Sequence, residues 1–595
     1  MTFILLDNTK DRDEGAWLFE DPLELIRADA PEEVLAAFEK LENAHKRELY
    51  AAGFCAFELA YVLEPSLTPY LPQNRNVPLL WFGVFKTRER LSADQATAYL
   101  KNKAGQGIHI PTLVPEWSQD DYTQRFEKAR EAISAGEIYQ LNLTFKTTFE
   151  CKRDPVNLYL RLREQQPVAY GAYLDAPDFK VLSLSPELFI KKSGSHIETR
   201  PMKGTAPRAP LPELDKVVAH TLATEPKSQA ENLMIVDLMR NDVGRISQTG
   251  SVAVHNLYAV ETYKTLHQMI STVSATLKPN INCMDLFKAL FAPGSVVGAP
   301  KIQAMKKIRA LETSPRGIYC GAIGMMGQGE AVFNVAIRTA VLFPKDDQAY
   351  AGEMGIGSGV VYDSSATSEY QECLLKTKFF QHHIKPEGLI ETLRYDKKGG
   401  FYLLDLHMQR MAASAAYYEI PFNRDKVIKA LNEFVADIVD DHTRCRLVLL
   451  SSGGINLTAQ ALPAGALTQT IHFVYAPEIM QSNNPYLYHK TTTRDFLDAP
   501  CARLKKSTCC DEVVYLNERG EVTQGSYMNI FLEQADGTFV TPPITAGLLP
   551  GVFRAEFIAK NHVIEKTVFP DDLKTAKQVY LGNSVRGLLK AKLVS

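Results

Sequence analysis

A single break in pattern, at residues 382–388, divides this sequence into two parts. Pro386 and Gly388 interrupt a helical pattern there, and residues 389–393 resume with the character of a strand. A chain of 595 residues is too long for one hydrophobic core, because a domain usually takes ~100–200 residues. We therefore predict a first domain over residues 1–380, a linker over 381–388 and a second domain over 389–595.

Composition and charge exclude several classes of protein. With 45% hydrophobic and 23% charged residues, the chain is typical of folded globular proteins. A formal net charge of -3 and the lack of a long basic run argue against nucleic acid as a partner. The nine cysteines form no CxxC pair, which argues against a zinc site or a disulfide framework and fits reduced cytosolic thiols.

The apolar stretches of the sequence do not suggest a targeting signal or a membrane span. The apolar run at residues 3–6 is too short for a signal peptide, and no stretch approaches the ~20 apolar residues that cross a bilayer. We expect a cytoplasmic protein without membrane contact.

The first part mixes helical and strand periods. Ser118 and Asp121 stand at capping-box spacing before an apolar stripe, which predicts a helix beginning after Ser118. Residues 181–190 favour a strand, and residues 369–383 favour a second helix. This mixture predicts an α+β fold.

The second part carries hairpin signals. Two turns, at 517–520 and 534–537, separate strand-like runs at 513–516, 528–532 and 538–541. We predict a smaller α+β unit here.

Six polar strings in the first part are unusual in composition. They are YQLNLT at 139–144, SPE at 185–187, RPMKGT at 200–205, ENLMIVDLMRND at 231–242, PGSVVGAPK at 293–301 and GIGSG at 355–359. In this order, over roughly residues 1–380, they resemble the chorismate-utilising enzymes, a family that includes anthranilate synthase component I, aminodeoxychorismate synthase component I and isochorismate synthase. The resemblance implies a large domain of layered sheets and helices.

A site for chorismate, a small dicarboxylate, needs cations or oriented amide donors. The resemblance implies that Glu231 and Glu372 hold magnesium against the ring carboxylate, a role that suits hard oxygen ligands. Taken alone, Glu231 follows Ser228 at capping-box spacing, and Glu372 with Lys376 has the spacing of a surface ion pair. The motif context favours the magnesium site over both alternatives.

The resemblance also implies a set of substrate contacts. Arginine, lysine and backbone amides would grip the carboxylates, and a histidine would orient the substrate. The residues at these positions are His267, Tyr319, Arg338, Gly357, Ser358, Gly359 and Lys376.

Lys203 indicates which reaction the first domain would catalyse. Aminodeoxychorismate synthases resemble this chain in having lysine before Gly-Thr, where anthranilate synthases have a small residue. In a shielded pocket the amine can be neutral and nucleophilic, although an isolated lysine is normally a surface residue. The resemblance implies that Lys203 attacks ring C2, that Glu187 acts as general acid and base, and that ammonia then adds at C4.

Two departures from the family pattern bear on this interpretation. Val297 stands where the family usually has threonine, which could alter a substrate contact. The sequence also shows no glutaminase motif, so we expect ammonia from a separate glutamine amidotransferase subunit or from solution.

Six strings in the second part form another set. They are ETLR at 391–394, LDLHMQR at 404–410, HKTT at 489–492, TQGSYMNIF at 523–531, GLLPGV at 547–552 and NSVRG at 583–587. They resemble the fold-type IV pyridoxal-phosphate enzymes, which include branched-chain aminotransferase, D-amino-acid aminotransferase and aminodeoxychorismate lyase. The resemblance implies that Lys490 attaches pyridoxal 5'-phosphate and that Arg410, with Leu549, Gly551 and Val552, binds its phosphate.

Gln524 stands where this second family usually has glutamate. A glutamate pairs with the pyridinium nitrogen and keeps it protonated, whereas an amide can only donate a hydrogen bond to it. The weaker electron sink suits a lyase whose product is aromatic better than a transaminase. The two resemblances together imply synthesis of p-aminobenzoate for folate, and the alternative is a second domain that serves only as a scaffold.

Overall fold

A computed structural model describes residues 2–594 except 12, 108, 210, 264–265, 347–348, 382–385 and 437. The chain forms two compact units, one of residues 1–208 with 218–383 and the other of residues 209–217 with 384–595. Part of the predicted linker, residues 382–385, lies outside the described residues. None of the described helices is both long and apolar enough to cross a membrane.

Most of the strands precede residue 361. They are β1 Phe3–Asp7, β2 Ala16–Glu20, β3 Glu24–Ala28, β4 Tyr50–Cys55, β5 Leu80–Phe85, β6 Glu89–Leu91, β7 Val114–Pro115, β8 Gln140–Cys151, β9 Tyr170–Asp175, β10 Lys180–Ser185, β11 Leu188–Ser193, β12 His196–Arg200, β13 Met202–Pro207, β14 Ala253–Thr262, β15 Leu266–Thr276, β16 Gly298–Ala299, β17 Ala322–Gly327, β18 Glu330–Val335, β19 Thr339–Asp346 and β20 Ala349–Val360.

The helices before the break connect these strands. They are α1 Glu33–Lys46, α2 Leu59–Leu63, α3 Ala93–Lys103, α4 Gln119–Ser134, α5 Pro155–Gln165, α6 Pro212–Thr224, α7 Pro226–Ile246, α8 Cys283–Leu290, α9 Lys301–Leu311, α10 Ala366–Leu375 and α11 Lys378–Gln381.

Two ten-stranded sheets form the centre of the first unit. One has the order β16-β8-β20-β19-β10-β9-β1-β2-β6 with β7 beside β8, and the other has the order β13-β15-β12-β11-β18-β17-β4-β5-β3 with β14 beside β15. Their facing side chains share one core, in which Ile4 and Val181 of the first sheet join Phe54 and Ile323 of the second. This burial of two apolar faces gives the layered architecture expected from the sequence.

The second part has its own elements. They are β21 Gly388–Asp396, β22 Gly400–Phe401, α12 Leu404–Tyr418, α13 Arg424–Phe434, β23 His442–Leu450, β24 Ile455–Ala461, β25 Ile471–Met480, α14 Asp495–Thr508, β26 Glu512–Asn517, β27 Val522–Gly525, β28 Asn529–Glu533, β29 Phe539–Thr541, α15 Val552–Lys560, β30 Val563–Glu565, α16 Pro570–Thr575, β31 Gln578–Asn583 and β32 Gly587–Leu593.

The second unit contains a small and a larger sheet. The small sheet has the order β22-β21-β23-β24, and α12 packs on it through Met408 and Met411. The eight-stranded sheet has the order β27-β26-β25-β32-β31-β28-β29-β30, and its core includes Val514 and Ile530. Both units therefore mix helices with sheets, as the sequence predicts.

Local signals in the sequence are confirmed in part. Ser118 caps α4 and forms the capping box with Asp121. The strand predicted at 181–190 is wrong as one element, because Pro186 interrupts it and leaves β10 and β11 in different sheets. The helix predicted at 369–383 begins earlier and is divided into α10 and α11.

The hairpin signals have a similar outcome. The turn at 517–520 joins β26 to β27 rather than to β28, since Val514 pairs with Gly525. The turn at 534–537 joins β28 to β29, as predicted.

Candidate active sites

The first cavity lies in the first unit, where β13, β20, α7 and α10 meet. Its lining includes most of the residues singled out in the sequence, namely Glu187, Lys203, Glu231, Tyr319, Arg338, Gly357, Gly359, Glu372 and Lys376. These residues come from points up to 189 positions apart in the sequence, between Glu187 and Lys376. The fold thus brings a lysine, carboxylates and cations to one polar cavity.

Glu187 lies in the link between β10 and β11, directly after Pro186. Its side chain is almost completely buried, and its Oε1 accepts a hydrogen bond of 3.3 Å from the Met202 backbone N–H. Burial raises the pKa of Glu187 to about 7, against the effect of Ser295 and Lys203 beside it. A carboxyl group with this pKa can donate and accept a proton near neutral pH.

Lys203 projects from β13 into the same cavity. Burial lowers the pKa of its amine, while Glu231 opposes that shift and Lys376 reinforces it. The Lys203 amine forms no hydrogen bond to any residue that the structure describes. A lowered pKa increases the neutral fraction of the amine, which is the nucleophilic form.

One wall of the cavity consists of alternate glycines of β20. Gly355, Gly357 and Gly359 face the cavity because side chains alternate along a strand. A Cβ on Gly355 would lie 2.1 Å from the Tyr319 ring, and one on Gly359 would lie 3.0 Å from Lys203 Nζ. The tyrosine ring and the lysine amine therefore occupy space that a side chain at Gly355 or Gly359 would fill.

Ser358 and His267 lie behind the cavity wall. Ser358 is fully buried, and its Oγ is 2.9 Å from Tyr122 Oη. His267 is also buried, with its Nδ1 3.0 Å from Thr262 Oγ1. The neighbour of His267 on β15, Gln268, lines the cavity instead. Direct substrate contact by the Ser358 and His267 side chains stays a prediction.

The two glutamates predicted to bind magnesium face each other from α7 and α10. Burial raises the pKa of Glu231. Burial would also raise the pKa of Glu372, but Lys376 outweighs it, and the net shift is downward. Lys376 Nζ lies 2.7 Å from Glu372 Oε1 and donates to the Gly357 carbonyl at 2.8 Å. The acidic pair is thus held between two helices at the cavity edge.

These carboxylates alone are too few for a complete metal site. Among the described residues, no three histidine, cysteine, aspartate or glutamate side chains are grouped closely enough to hold an ion. Magnesium usually keeps several waters and takes one or two carboxylates from the protein. The oxygen donors of Glu231 and Glu372 fit magnesium on those terms, with substrate and water as the other ligands.

Arg338 lies across the cavity with an unusual backbone. Its φ of +50° is left-handed, and its Nη1 is buried without a hydrogen bond to any described residue. Burial lowers the pKa of Arg338 to about 10, so the group stays charged at neutral pH. Its free guanidinium edge can receive an anion.

Val297, the first departure noted in the sequence, does not face this cavity. Its side chain is fully buried, and its carbonyl accepts the Asn142 N–H at 2.8 Å, whereas Ser295 and Val296 line the wall. The position therefore packs in the core.

The second cavity lies in the second unit and contains Lys490 and Arg410. Burial lowers the pKa of Lys490 to about 7, and the positive charges of Arg494 and Arg410 reinforce the shift. No described residue forms a hydrogen bond with the Lys490 amine. A substantial fraction of this amine is therefore neutral, and so nucleophilic, near pH 7.

The end of the cavity nearest to Arg410 fits a phosphate group. Arg410 Nη1 lies 3.4 Å from the Pro550 carbonyl, next to the turn that begins α15. Gly551 is the N-cap of α15 and provides no side-chain cap for its N–H groups. A Cβ on Gly551 would lie 2.0 Å from Asn529 Oδ1, so there is no room for a side chain at this position and the backbone N–H groups are not covered by one. The predicted residues Leu549, Gly551 and Val552 all line the cavity.

Gln524 is buried close to Lys490, and both line one small recess. Its Oε1 accepts a hydrogen bond of 2.9 Å from the Leu549 N–H. Because the oxygen is engaged, the amide NH2 is the part of Gln524 left to meet a ligand.

Several cavity residues were missed in the sequence analysis. In the first cavity, Gln268 carries no spacing that distinguishes it from surface residues, whereas the spacing of Glu369 places it on one helical face with Glu372 and Lys376 but suggested no role for it. In the second, Arg444 and Arg446 line the wall from β23. Their i, i+2 spacing on a strand places both side chains on one face, a signal that the sequence did contain.

Comparison with known families decides the class. The family model described as chorismate binding enzyme matches residues 1–382, well over half of the chain. The chain belongs to the chorismate-binding enzyme family. Residues 388–594 match the model described as amino-transferase class IV, so the chorismate-binding fold is followed by a class IV aminotransferase-like fold.

Relatives of this chorismate-binding enzyme include synthases of two kinds. Aminodeoxychorismate synthase component 1 of Bacillus subtilis is 37% identical over 270 residues, covering 45% of this chain and 56% of that protein. Anthranilate synthase component 1 of Aquifex aeolicus is 38% identical over 263 residues, covering 44% of this chain and 52% of that protein. The chain therefore spans only slightly more than half the length of each of these relatives.

A solved structure shows the same fold in the first part. Anthranilate synthase component I from Streptococcus pneumoniae superposes with a TM-score of 0.52 at 25% identity, covering 64% of this chain and 92% of that one.

Proposed function

We propose that the first unit aminates chorismate to 4-amino-4-deoxychorismate and that the second eliminates pyruvate from this product to give p-aminobenzoate. The observation that carries the proposal is the shielded Lys203 amine on the same cavity as Glu187. The relatives named aminodeoxychorismate synthase component 1 support the same reaction. Lys203 favours it over anthranilate formation.

Lys203 and Glu187 divide the chemistry of the first unit. The Lys203 nitrogen bonds to ring C2 while the C4–oxygen bond breaks, and Glu187 supplies the proton with which the hydroxyl leaves as water. Ammonia then bonds to C4, the C2–nitrogen bond breaks, and its electron pair returns to Lys203. Glu187 takes the proton that the new C4 ammonium releases. A pKa of about 7 suits both roles of Glu187.

The remaining residues of the cavity would hold the substrate. Arg338 and Lys376 would bind carboxylates, together with backbone amides at Gly357 and Gly359. Magnesium held by Glu231 and Glu372 would supply positive charge against the ring carboxylate. Ammonia would come from a separate glutamine amidotransferase subunit or from solution.

In the second unit, pyridoxal phosphate would supply the electron sink for elimination. Lys490 would attach it and, once released, would remove the proton from C4 of the substrate. Arg410 and the bare N-terminus of α15 would bind the phosphate. The Gln524 NH2 would donate to the ring nitrogen, which stays unprotonated.

A second candidate rests on Gln524, namely a class IV unit that keeps the fold without activity. The buried Lys490 amine, with its pKa of about 7, favours an active site over this scaffold.

The purified chain given chorismate, magnesium and ammonium separates the candidates. With pyridoxal phosphate the expected product is p-aminobenzoate, and without it aminodeoxychorismate accumulates. Accumulation in both cases would favour the scaffold, and anthranilate as product would overturn the proposal for the first unit. Loss of the visible absorbance of bound cofactor in Lys490→Ala would support attachment at that residue.

A further inference from the structure

Glu391 is a buried carboxylate on β21 that the proposed chemistry does not use. It is 1% exposed, and its Oε1 accepts a hydrogen bond of 2.9 Å from Arg410 Nε. Its Oε2 accepts from Arg410 Nη2 at 2.5 Å and lies 2.5 Å from the Nδ1 of the fully buried His407. Glu391 therefore grips the arginine bidentately while the imidazole holds the carboxylate from another side.

The charges of Glu391 and His407 follow from the directions in which their pKa values are shifted. Burial alone would raise the pKa of Glu391, but Arg410 and His407 lower it to about 2. Burial lowers the pKa of His407. The group at neutral pH is thus an ionised Glu391, a charged Arg410 and a neutral His407.

The ion pair with Glu391 leaves one edge of the Arg410 guanidinium available for a ligand. Nε and Nη2 of Arg410 are used by Glu391, whereas Nη1 points to the Pro550 carbonyl at 3.4 Å, beside the N-cap Gly551 of α15. Because a guanidinium is planar and rigid, fixing one edge fixes the direction of the other. That direction is toward the part of the cavity that fits a phosphate.

The same strand also holds the backbone of the reactive lysine. The Ile390 N–H donates to the Lys490 carbonyl at 2.7 Å, and Leu389 forms a β-bridge with Thr491. Consecutive residues of β21 therefore fix Lys490 through its main chain and Arg410 through its side chain.

We propose that Glu391, supported by His407, is a positioning residue that directs Arg410 to the phosphate of the cofactor. This inference rests on the proposed use of pyridoxal phosphate by the second unit. Glu391 would act only through Arg410, so its removal should weaken recognition of the phosphate and spare recognition of the ring.

The test compares pyridoxal 5'-phosphate with pyridoxal, which lacks the phosphate, on the full-length chain. Equilibrium titration by absorbance would give both dissociation constants for the unsubstituted chain and for Glu391→Gln. We expect the constant for pyridoxal phosphate to rise about tenfold, since hydrogen bonds to charged groups are strong, while that for pyridoxal stays unchanged.

Asp396→Asn is the matched control. Asp396 lies on the same strand and is likewise held by an arginine and a histidine, at 3.0 Å from Arg394 Nε and 2.6 Å from His442 Nδ1. It does not belong to the described lining of the cavity. Its substitution should leave both dissociation constants unchanged.

His407→Gln provides a second variant in case Glu391→Gln fails to fold. It keeps the Glu391–Arg410 pair, so we expect a smaller rise, about threefold, again confined to the phosphate-bearing compound. An equal loss of affinity for both compounds, or no loss for either, would overturn the positioning role. If the unsubstituted chain bound neither compound, the proposed function of the second unit would fail and this proposal with it.

Discussion

The two cavities each present a lysine whose pKa is lowered, but carboxylates predominate around the first amine and arginines around the second. Burial lowers the pKa of Lys203, where Glu231, Glu187 and Glu372 oppose the shift and Lys376 reinforces it. Burial also lowers the pKa of Lys490, where Arg494, Arg410 and Arg446 reinforce the shift and Glu391 opposes it.

This difference indicates that the two sites suit ligands of opposite charge. The carboxylates around Lys203 favour the binding of a cation, as the proposed magnesium would require. The arginines around Lys490 lower the pKa of its amine and favour the binding of an anion, as the proposed phosphate-bearing cofactor would require.

The largest expected effect comes from Lys203→Ala. We expect amination of chorismate to fall by at least about a thousandfold, because a nucleophile is lost, while elimination from supplied aminodeoxychorismate continues. Chromatography of the aromatic products measures both activities. Lys192→Ala is the control, because Lys192 lies on β11 of the same sheet and donates to the Gly329 carbonyl away from the cavity. Undiminished amination in Lys203→Ala would show that Lys203 is not the nucleophile, and the comparison of the two lysines would fail.

Next in size is the effect of Glu231→Gln and Glu372→Gln. Each change should weaken the affinity for magnesium by about tenfold or more, because a hard anionic ligand is lost. Titration of amination with magnesium measures it. Asp237→Asn, on the same helix as Glu231 and paired with Arg240 at 2.8 Å on the surface, should leave the titration unaltered. An unaltered titration in the double variant of Glu231 and Glu372 would show that neither binds the ion.

A smaller effect concerns the pH dependence at Lys490. Its pKa is lowered from 10.5 to about 7, so the neutral fraction of the amine increases as pH rises through 7. The rate at which added pyridoxal phosphate gains the absorbance of the attached form should increase about tenfold from pH 6 to pH 8 and then level off. Stopped-flow absorbance measures this rate. A rate still rising steeply above pH 9 would mean that the arginines do not depress the pKa.

The smallest effect belongs to Gln524→Glu. A carboxylate there should keep the ring nitrogen protonated and strengthen the electron sink, so elimination should rise by about threefold to tenfold. The test is the rate of p-aminobenzoate release from aminodeoxychorismate, with the exposed Gln481→Glu as control. A fall in rate would show that the amide is the better partner in this cavity.

The sequence predicted those features that depend on neighbouring residues. The capping box of Ser118 and Asp121 is local, and α4 begins where it predicts. Pro186 carried a signal that the strand prediction ignored, since proline ends pairing in a central strand.

Features that depend on distant partners could not be predicted. The orientations of Ser358 and His267 follow from the register of β20 and β15 in their sheets, which no local pattern determines. The partners of Glu391 lie 16 and 19 residues away, so its grip on Arg410 required the packed structure.

The alternate glycines of β20 limit which substitutions can alter the shape of the first cavity. Gly355 and Gly359 have no side chain to shorten and no room for one, because Tyr319 and Lys203 already fill the space next to them. Room for a different substrate must therefore come from side chains on the other elements that line the cavity, such as β13, α7 and α10.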